Sequence, residues 1–207
     1  MTNATTNNAA NQQRNVENAA RSKNPLESFP DVFTYKSPKE AEDGASYSLY
    51  CRAKGDMDSK TLKWAFKLAE KNVSPFYKQL SMGWQPKVKQ NDLMKGWARY
   101  LVAVDKSKTP VAYAMFRFDM DYGHPVLYCY EMQIEPSAQR QGLGKHMMLA
   151  LERCAKHWKM DKIVLTVLKN NDNARAFFKT IGYVLDDSSP DILEKADYEI
   201  LSKPVND

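Results

Sequence analysis

Cysteine is scarce in this chain. The three cysteines, Cys51, Cys129 and Cys154, lie far apart in a sequence of 207 residues. This spacing predicts neither a disulfide framework nor a zinc site. The three histidines also lack the spacing of metal ligands. We therefore expect reduced thiols, mostly buried, and no bound metal.

Long apolar runs and blocks of like charge are absent as well. The sequence has no apolar run long enough to span a membrane and no secretory signal at its N-terminus, so we expect a soluble intracellular protein without membrane contact. The 30 basic residues give a net charge of +5, but they are spread along the chain. A nucleic-acid-binding protein concentrates them on one face, and we therefore expect no direct nucleic-acid binding.

The N-terminal segment differs in composition from the rest. Residues 1–21 are dominated by Asn, Gln, Thr and Ala and have almost no large apolar side chain, which predicts a disordered tail. The chain as a whole is 43% hydrophobic, enough for one core of ordinary size. We expect a single domain over residues 22–207.

Hydrophobic periodicity predicts the order of the elements that follow the tail. The predicted strands are 46–53, 98–104, 111–118, 126–134, 163–168, 183–185 and 198–202. The predicted helices are 58–72, 143–159 and 173–180. Pro75 should end the first helix, and residues 76–94 are predicted to be loop-rich. The pattern indicates an α/β domain, with a mixed, mostly antiparallel central sheet flanked by helices.

The segment Gln-Arg-Gln-Gly-Leu-Gly-Lys at residues 139–145 lies between a predicted strand and a predicted helix. In that arrangement, backbone N–H groups and the positive end of the helix point at one anion, such as a pyrophosphate. Gly142 and Gly144 permit close approach, and Arg140 and Lys145 add positive charge. An ordinary strand-to-helix turn can have the same pattern, so the loop alone leaves both interpretations open. A dinucleotide-binding loop is disfavoured because its third glycine is missing.

The same loop matches the signature of the GNAT acetyltransferases, which has Gln or Arg, two variable residues, Gly, one residue, then Gly or Ala. Residues 171–183 resemble the second coenzyme A-side signature of that family. A narrower resemblance to the NatD branch is found at residues 25–30, 64–66, 127–131, 165–167, 186–190 and 198–201. That branch acetylates the α-amino group of histones four and two-A. The resemblance therefore implies a GNAT fold, acetyl-CoA as co-substrate and histone N-terminal tails as partners.

The resemblance also implies which residues contact the co-substrate. Backbone groups of Met132, Gln133 and Ile134 would contact the acetyl carbonyl and the pantetheine arm. Asn171 would lie on the cofactor side of the later helix. The loop residues expected at the pyrophosphate are Arg140, Gln141, Gly142, Leu143, Gly144 and Lys145.

Glu131 is the predicted general base, acting directly or through water, because it lies just before the strand residues that would contact acetyl-CoA. The alternative interpretation is a surface salt-bridge partner. Many GNAT enzymes have a Tyr in the later helix as proton donor, but Phe178 stands there in this chain. Tyr130 is the predicted donor, with Tyr128 and Tyr198 as alternatives. Strand alternation places Tyr130 on the face opposite Glu131, which a bulge or splay would resolve.

Residues 118–139 contain no Lys or Arg in an otherwise basic chain. Asp119 and Asp121 in this stretch are either ordinary solvated residues of a turn or, as the NatD resemblance implies, partners of an Arg near the substrate N-terminus. At Met82 the chain departs from that branch, which has an aromatic residue there, and Trp84 is the candidate replacement. The predicted substrate-contacting side chains include Tyr77, Tyr128, Tyr130, Thr166 and Tyr198.

The leading hypothesis is acetylation of histone N-termini beginning Ser-Gly-Arg-Gly, by direct attack in a ternary complex. An α-amine, with a pKa of about 7.7 to 8.0 against about 10.4 for lysine, is far more often neutral near pH 7.4, so one carboxylate suffices as base. The alternatives are a GNAT enzyme acting on lysine side chains or polyamines, and a non-catalytic protein that binds acyl-CoA and histone tails. We expect no obligatory auxiliary subunit and a location in nucleus and cytoplasm.

Overall fold

The computed structural model describes residues 2–38, 45–191 and 193–205. Its helices are α1 (Thr2–Arg21), α2 (Ser59–Tyr77), α3 (Pro86–Leu93), α4 (Leu143–His157) and α5 (Asp172–Thr180). Its strands are β1 (Thr34–Lys36), β2 (Ser46–Ala53), β3 (Arg99–Val104), β4 (Pro110–Asp121), β5 (His124–Ile134), β6 (Lys162–Leu168), β7 (Val184–Leu185) and β8 (Tyr198–Pro204). None of the helices in these ranges is long and apolar enough to cross a membrane.

The strands of the described residues form one eight-stranded sheet in the order β1-β2-β3-β4-β5-β6-β8-β7. The β5/β6 pair is parallel. The β1/β2, β2/β3, β3/β4, β6/β8 and β7/β8 pairs are antiparallel. The predicted α/β class with a mixed, mostly antiparallel sheet is therefore confirmed.

Two compact units make up the chain. The central unit contains the described residues of Lys23–Phe116 and Glu131–Ala150, and the C-terminal unit contains those of Met1–Ser22, Arg117–Tyr130 and Leu151–Asp207. Strands β4 and β5 and helix α4 each contribute residues to both units.

The core of the central unit lies where α2 and α3 pack on β3 and β4. Its buried residues include Ala65 and Leu68 of α2 and Tyr100 and Tyr113 of the strands. Both buried phenols have partners: Tyr113 donates to the carbonyl of Ala65 at 3.0 Å, and Tyr100 donates to that of Leu93 at 2.6 Å. These hydrogen bonds satisfy the polar atoms that burial would otherwise leave without water.

The C-terminal unit has its own buried residues. Ile163 and Val164 of β6 are fully buried, and Phe178 of α5 packs edge-on against Tyr183 with ring centroids 5.7 Å apart. The Lys162 ammonium pairs with the Asp186 carboxylate at 2.5 Å. This pair joins the start of β6 to the turn that follows β7.

Helix α1 occupies the segment that composition predicts to be disordered, so that prediction is wrong for residues 2–21. Val16 and Ala19 are 6% and 0% exposed, and residues three apart share one face of a helix. An ion pair between Glu17 and Arg21, with N and O 3.5 Å apart, adds support on the exposed side. Two small buried side chains leave little trace in composition, and most helix stability in proteins comes from such tertiary burial.

Helix α2 begins as predicted and ends later than predicted. The Asp58 side chain accepts from the N–H of Thr61 at 2.8 Å, which is an N-cap. Pro75 lies inside the helix, which runs to Tyr77. Proline removes one N–H donor from the last turn, but the N–H of Lys78 still bonds to the carbonyl of Ser74 at 3.0 Å.

Helix α3 falls in the stretch predicted to be loop-rich, which is a second correction. Pro86 occupies its first turn, the position where a missing N–H costs nothing. Leu93 is the one fully buried residue of this helix. One apolar anchor produces no periodic pattern, so periodicity did not reveal the helix.

Candidate active site

The loop at residues 139–145 leads from the end of β5 into α4, as predicted. Arg140 and Gly142 both adopt left-handed backbone conformations, with φ of 59° and 84°. Such residues beside a helix N-terminus turn successive N–H groups toward one concave surface. The side chains of Arg140 and Lys145 are exposed. Backbone geometry, the start of the helix and local charge therefore fit the pyrophosphate of acetyl-CoA.

Glu131 is held by two partners in the central unit. Its Oε2 lies 2.6 Å from the Nζ of Lys89 on α3, and its Oε1 accepts from the Nε2 of Gln133 at 2.5 Å. The two charged side chains are only 16% and 9% exposed. Glu131 is therefore an ion-pair partner, but in a buried pair and not in the exposed salt bridge that the alternative interpretation describes.

The positive charge of Lys89 is stabilised by the side chains around its ammonium group. Burial is the largest single influence and lowers the pKa of Lys89, but Glu131, Tyr77 and Asp92 together raise it by more, so that the pKa is raised overall. The ring of Tyr77 lies 5.7 Å from the ammonium and adds a cation–π contact. Lys89 consequently keeps its positive charge at neutral pH, directly beside the predicted base.

A second set of hydrogen bonds fixes the end of β5. Asn72 of α2 donates to the Gln133 side chain at 2.9 Å and to the carbonyl of Ile134 at 3.2 Å. Gln139 donates to the same carbonyl at 3.0 Å. The side chain of Gln133 is thus committed to protein partners, while Met132 is half-buried. The predicted backbone contacts of these residues with acetyl-CoA stay a prediction.

Tyr77 lies in an aromatic group of the central unit. Its ring centroid is 5.6 Å from that of Trp84, and the Trp84 indole N–H donates to Glu70 at 3.3 Å. Met82 is 39% exposed. Trp84, the candidate replacement for the missing aromatic residue, therefore contacts Tyr77.

The C-terminal unit brings together several predicted substrate residues. The Tyr128 hydroxyl and Thr166 Oγ1 are 2.6 Å apart, and the rings of Tyr128 and Tyr130 are 4.6 Å apart. On β8, Tyr198 pairs with Leu168. Since opposite residues and residues two apart share a face, Tyr198 lies on the same face as Thr166. Burial raises the pKa of Tyr128, although its bond to Thr166 opposes this, so its hydroxyl stays protonated.

Side-chain contacts along β5 follow the ordinary pleat. Tyr128 meets Tyr130, and Glu131 meets Gln133, so each contact joins residues two apart. Regular alternation of this kind places the neighbouring side chains of Tyr130 and Glu131 on opposite faces of the strand, as the sequence predicts. The direct use of both residues on one substrate stays a prediction.

The two predicted substrate acids have different surroundings. Asp119 forms an ion pair with Arg117, whose guanidinium lies 5.0 Å from the ring centroid of Tyr130. The pKa of Asp121 is raised, mainly by burial and also by Asp186 and Asp119, although Lys162 opposes the shift. A cationic group beside Asp121 would lower that cost, but the predicted contact of Asp119 and Asp121 with a substrate Arg stays a prediction.

Two residues of the second coenzyme A-side segment have structural roles. Asn171 accepts from the N–H of Ala174 at 3.2 Å and so caps α5. Phe178 is 8% exposed and belongs to the core of the C-terminal unit. The cofactor contact of Asn171 stays a prediction.

Sequence reasoning missed Lys89 and Asn72, both of which contact β5 residues. They lie 42 and 61 residues away from their partners Glu131 and Gln133. No local pattern signals either contact. Lys89 lies on α3, a helix that was not predicted, whereas Asn72 lies at the end of the predicted first helix, where spacing does not show which strand the side chain meets.

Metal-binding groups are absent from the described parts of the chain, where no cluster of three or more His, Cys, Asp or Glu side chains could hold an ion. The three cysteines are buried, which confirms the burial expected from the sequence.

The mixed sheet, the loop of residues 139–145 before α4 (the anion-binding loop) and the buried Glu131 carboxylate on β5 fit a coenzyme A-dependent acyltransferase. The sequence profile of the Acetyltransferase (GNAT) family matches residues 65–183, which is more than half of the chain. The protein therefore belongs to the GNAT family and is an acetyl-CoA-dependent acetyltransferase.

Solved structures support the same fold. PaiA N-acetyltransferase from Thermoplasma acidophilum, in complex with coenzyme A, is similar over 76% of this chain and 99% of its own, with 13% identity and a TM-score of 0.55. The ribosomal-protein-S18-alanine N-acetyltransferase from Escherichia coli is similar over 77% of this chain and 95% of its own, with 16% identity and a TM-score of 0.52. Arabidopsis thaliana Naa50, in complex with the bisubstrate analogue CoA-Ac-MVNAL, is similar over 76% of this chain and 97% of its own, with 18% identity and a TM-score of 0.52. The predicted GNAT fold in a single domain is confirmed.

Proposed function

We propose that this enzyme transfers the acetyl group of acetyl-CoA to the α-amino group of histone N-termini beginning Ser-Gly-Arg-Gly. The observation that carries the proposal is the buried Glu131 carboxylate, held 2.6 Å from the Lys89 ammonium on the strand that leads into the anion-binding loop. It supplies a base next to the residues expected to bind the donor.

The proposed reaction is a direct transfer. The α-amine nitrogen forms a bond to the acetyl carbon, the carbon–sulfur bond breaks, and the ammonium proton leaves through Glu131 or a water bound to it. Tyr130 returns a proton to the departing thiolate, since Phe178 has none to give. Backbone groups near the end of β5 stabilise the developing charge on the carbonyl oxygen.

The environment of the base favours an acceptor that is easily deprotonated. Each oxygen of Glu131 already accepts a hydrogen bond, from Lys89 and from Gln133. An α-amine, with a pKa of about 7.7 to 8.0, needs less help from such a carboxylate than a lysine amine, with a pKa of about 10.4. This supports an N-terminal acceptor over a lysine side chain.

The acceptor sequence is proposed from the acids and hydroxyls of the C-terminal unit. Half-buried Asp121 would bind the Arg at the third position of the substrate and reject acidic peptides. Tyr128, Tyr130 and Thr166 would line a narrow site for Ser and Gly. Peptide acceptors suit this fold, because the similar Escherichia coli protein is a ribosomal-protein-S18-alanine N-acetyltransferase.

The proposed partners are histone N-terminal tails, which implies a location in the nucleus and cytoplasm. No auxiliary subunit enters the proposal. The loop of residues 139–145 supplies donor binding from this chain, and the acids and hydroxyls of the C-terminal unit supply the proposed acceptor contacts.

Mass spectrometry tests the proposal directly. The full chain is incubated with acetyl-CoA and a peptide that begins Ser-Gly-Arg-Gly and contains an internal lysine. We expect one acetyl group on the terminal amine and none on the lysine. A matched peptide with Glu in place of Arg should be a much poorer substrate, because it places like charge against Asp121.

A specific observation defines the second candidate. Asp119 is already paired with Arg117, and an enzyme acting on lysine side chains or polyamines would not need this acid for a substrate Arg. Acetylation of the internal lysine, or of spermidine in place of the peptide, would support that candidate and contradict the first. Binding of acetyl-CoA and peptide without any turnover would instead indicate the non-catalytic alternative.

A further inference from the structure

The middle of the anion-binding loop is held by two tyrosines of the first strands. Tyr35 of β1 donates its hydroxyl to the backbone carbonyl of Gln141 at 2.8 Å. Tyr47 of β2 donates to the side-chain Oε1 of the same residue at 2.6 Å. The Nε2 of Gln141 in turn donates to the carbonyl of Ser137 at 2.8 Å. Both the backbone and the side chain of Gln141 are therefore fixed.

Tyr35 also occupies the space beside Gly142. A Cβ atom at this glycine would lie 2.1 Å from the Tyr35 hydroxyl oxygen and 3.3 Å from its Cζ, and its φ is 84°. The glycine is thus required twice, once for its backbone conformation and once to make room for Tyr35.

The Tyr35 ring has its own support. It stacks on the imidazole of His146 with ring centroids 4.7 Å apart, and the Nε2 of His146 lies 2.8 Å from the carbonyl oxygen of Val32. Tyr47 is only 6% exposed. Burial raises the pKa of both phenols, so each hydroxyl remains a protonated donor at neutral pH.

From this geometry we infer that Tyr35 and Tyr47 are positioning residues that set the affinity for acetyl-CoA. They hold Gln141 and Gly142 in the conformation that presents backbone N–H groups to the pyrophosphate. A loop already in this conformation loses less entropy on binding. The inference rests on the donor site of the proposed function and adds residues that lie outside the loop signature.

The test measures coenzyme A binding to the full chain by titration calorimetry. Tyr35→Phe and Tyr47→Phe each remove one hydrogen bond and should weaken binding about five- to tenfold, the usual scale for one such bond. The Michaelis constant for acetyl-CoA should rise by the same factor, while kcat at saturation is unchanged. The matched control is Tyr50→Phe, which removes a half-buried hydroxyl that hydrogen-bonds with Thr61. Tyr50 lies on β2 with Tyr47, but strand alternation places it on the opposite face.

A double variant separates positioning from folding. Gly142→Ala should weaken coenzyme A binding strongly, because of its φ and its clash with the Tyr35 hydroxyl. Adding Tyr35→Phe removes the clashing atom, so the double variant should bind more tightly than the product of the two single effects predicts. Thermal midpoints of all variants check that each one is folded.

The outcomes distinguish this inference from the proposed function. If the unchanged chain binds no coenzyme A, both are contradicted. If it binds coenzyme A, but Tyr35→Phe and Tyr47→Phe bind as tightly as Tyr50→Phe, only the positioning role is overturned. Strictly multiplicative effects in the double variant would likewise overturn the role of Tyr35 beside Gly142.

Discussion

At the scale of single residues, the proposed chemistry rests on the position of Glu131. Its side chain is buried, its two oxygens accept from different donors, and its strand runs into the anion-binding loop. Lysine and glutamine side chains hold the carboxylate in one orientation. A base must be placed within hydrogen-bond reach of the proton it removes, and fixed partners provide that placement.

Replacing Glu131 by Gln tests its role as base. The amide keeps the shape but cannot accept a proton in the same way, so kcat should fall about 10²- to 10⁴-fold, with little change in coenzyme A affinity. Steady-state kinetics and calorimetry measure the two quantities. The control is Glu135→Gln near the same strand end, where the carboxylate accepts from Trp64 at 3.1 Å and pairs with Lys71. Equal losses of kcat and affinity in the Glu131 variant would indicate a folding role instead.

The Lys89–Glu131 pair should also stabilise the fold. Lys89→Met leaves a buried carboxylate without its cation, and breaking such a pair costs about 3 to 5 kcal/mol. Urea unfolding of Lys89→Met, Glu131→Gln and the double variant gives a double-mutant cycle. We expect the double variant to lose clearly less stability than the sum of the two single losses. An additive cycle would show that the two side chains do not interact in solution.

At the scale of elements, Asp186 stabilises the turn between β7 and β8. Burial of its carboxyl is outweighed by hydrogen bonds from Lys162, Ser188 and Ser202, which hold its pKa well below the ordinary value. A carboxyl with a lowered folded-state pKa contributes stability that is present above its unfolded pKa of about 3.9 and is lost as pH falls below that value.

The corresponding variant is Asp186→Asn. It should lower the unfolding free energy at pH 6. Below pH 4 the unfolding free energy should fall less steeply with pH than in the unchanged protein, because an amide has no proton to gain there. Urea unfolding across this pH range measures both effects. Asp187→Asn, in an exposed neighbour, is the control and should leave the profile close to that of the unchanged protein. An unaltered acid dependence in Asp186→Asn would contradict the assignment.

Elements with strong periodicity were predicted well, and elements with one or two anchors were not. Strand β3, whose six residues are all buried, and helix α4 follow from β-branched runs and apolar spacing. Helices α1 and α3 do not, since the first buries Val16 and Ala19 and the second buries Leu93. Tertiary contacts decide such helices, and composition contains little of that information.

At the scale of the whole molecule, the reactivity of the three thiols shows whether the protein is folded. All three cysteines are buried, and burial raises the pKa of Cys51 to about 12, despite the nearby Arg99. A thiol with so high a pKa has almost no reactive thiolate. We expect Ellman's reagent to react very slowly with the native protein at pH 8 and to titrate three thiols in urea. A thiol that reacts rapidly under native conditions would contradict the burial seen here.

The sequence by itself determined the donor side of this protein. Residues 139–145 and 171–183 resemble the GNAT signatures, and the family match over residues 65–183 confirms this; the loop was predictable because backbone geometry at a helix N-terminus follows from local residues. The candidate base Glu131 and the acids Asp119 and Asp121 were also found from the sequence. Their assigned roles stay predictions.

Only the tertiary structure decided which partners these residues have. Lys89 reaches Glu131 across 42 residues of chain, and Tyr35 reaches Gln141 across 106. Such contacts depend on strand order and helix packing, which bring distant segments together, whereas sequence spacing reports only on neighbours within one helix or strand.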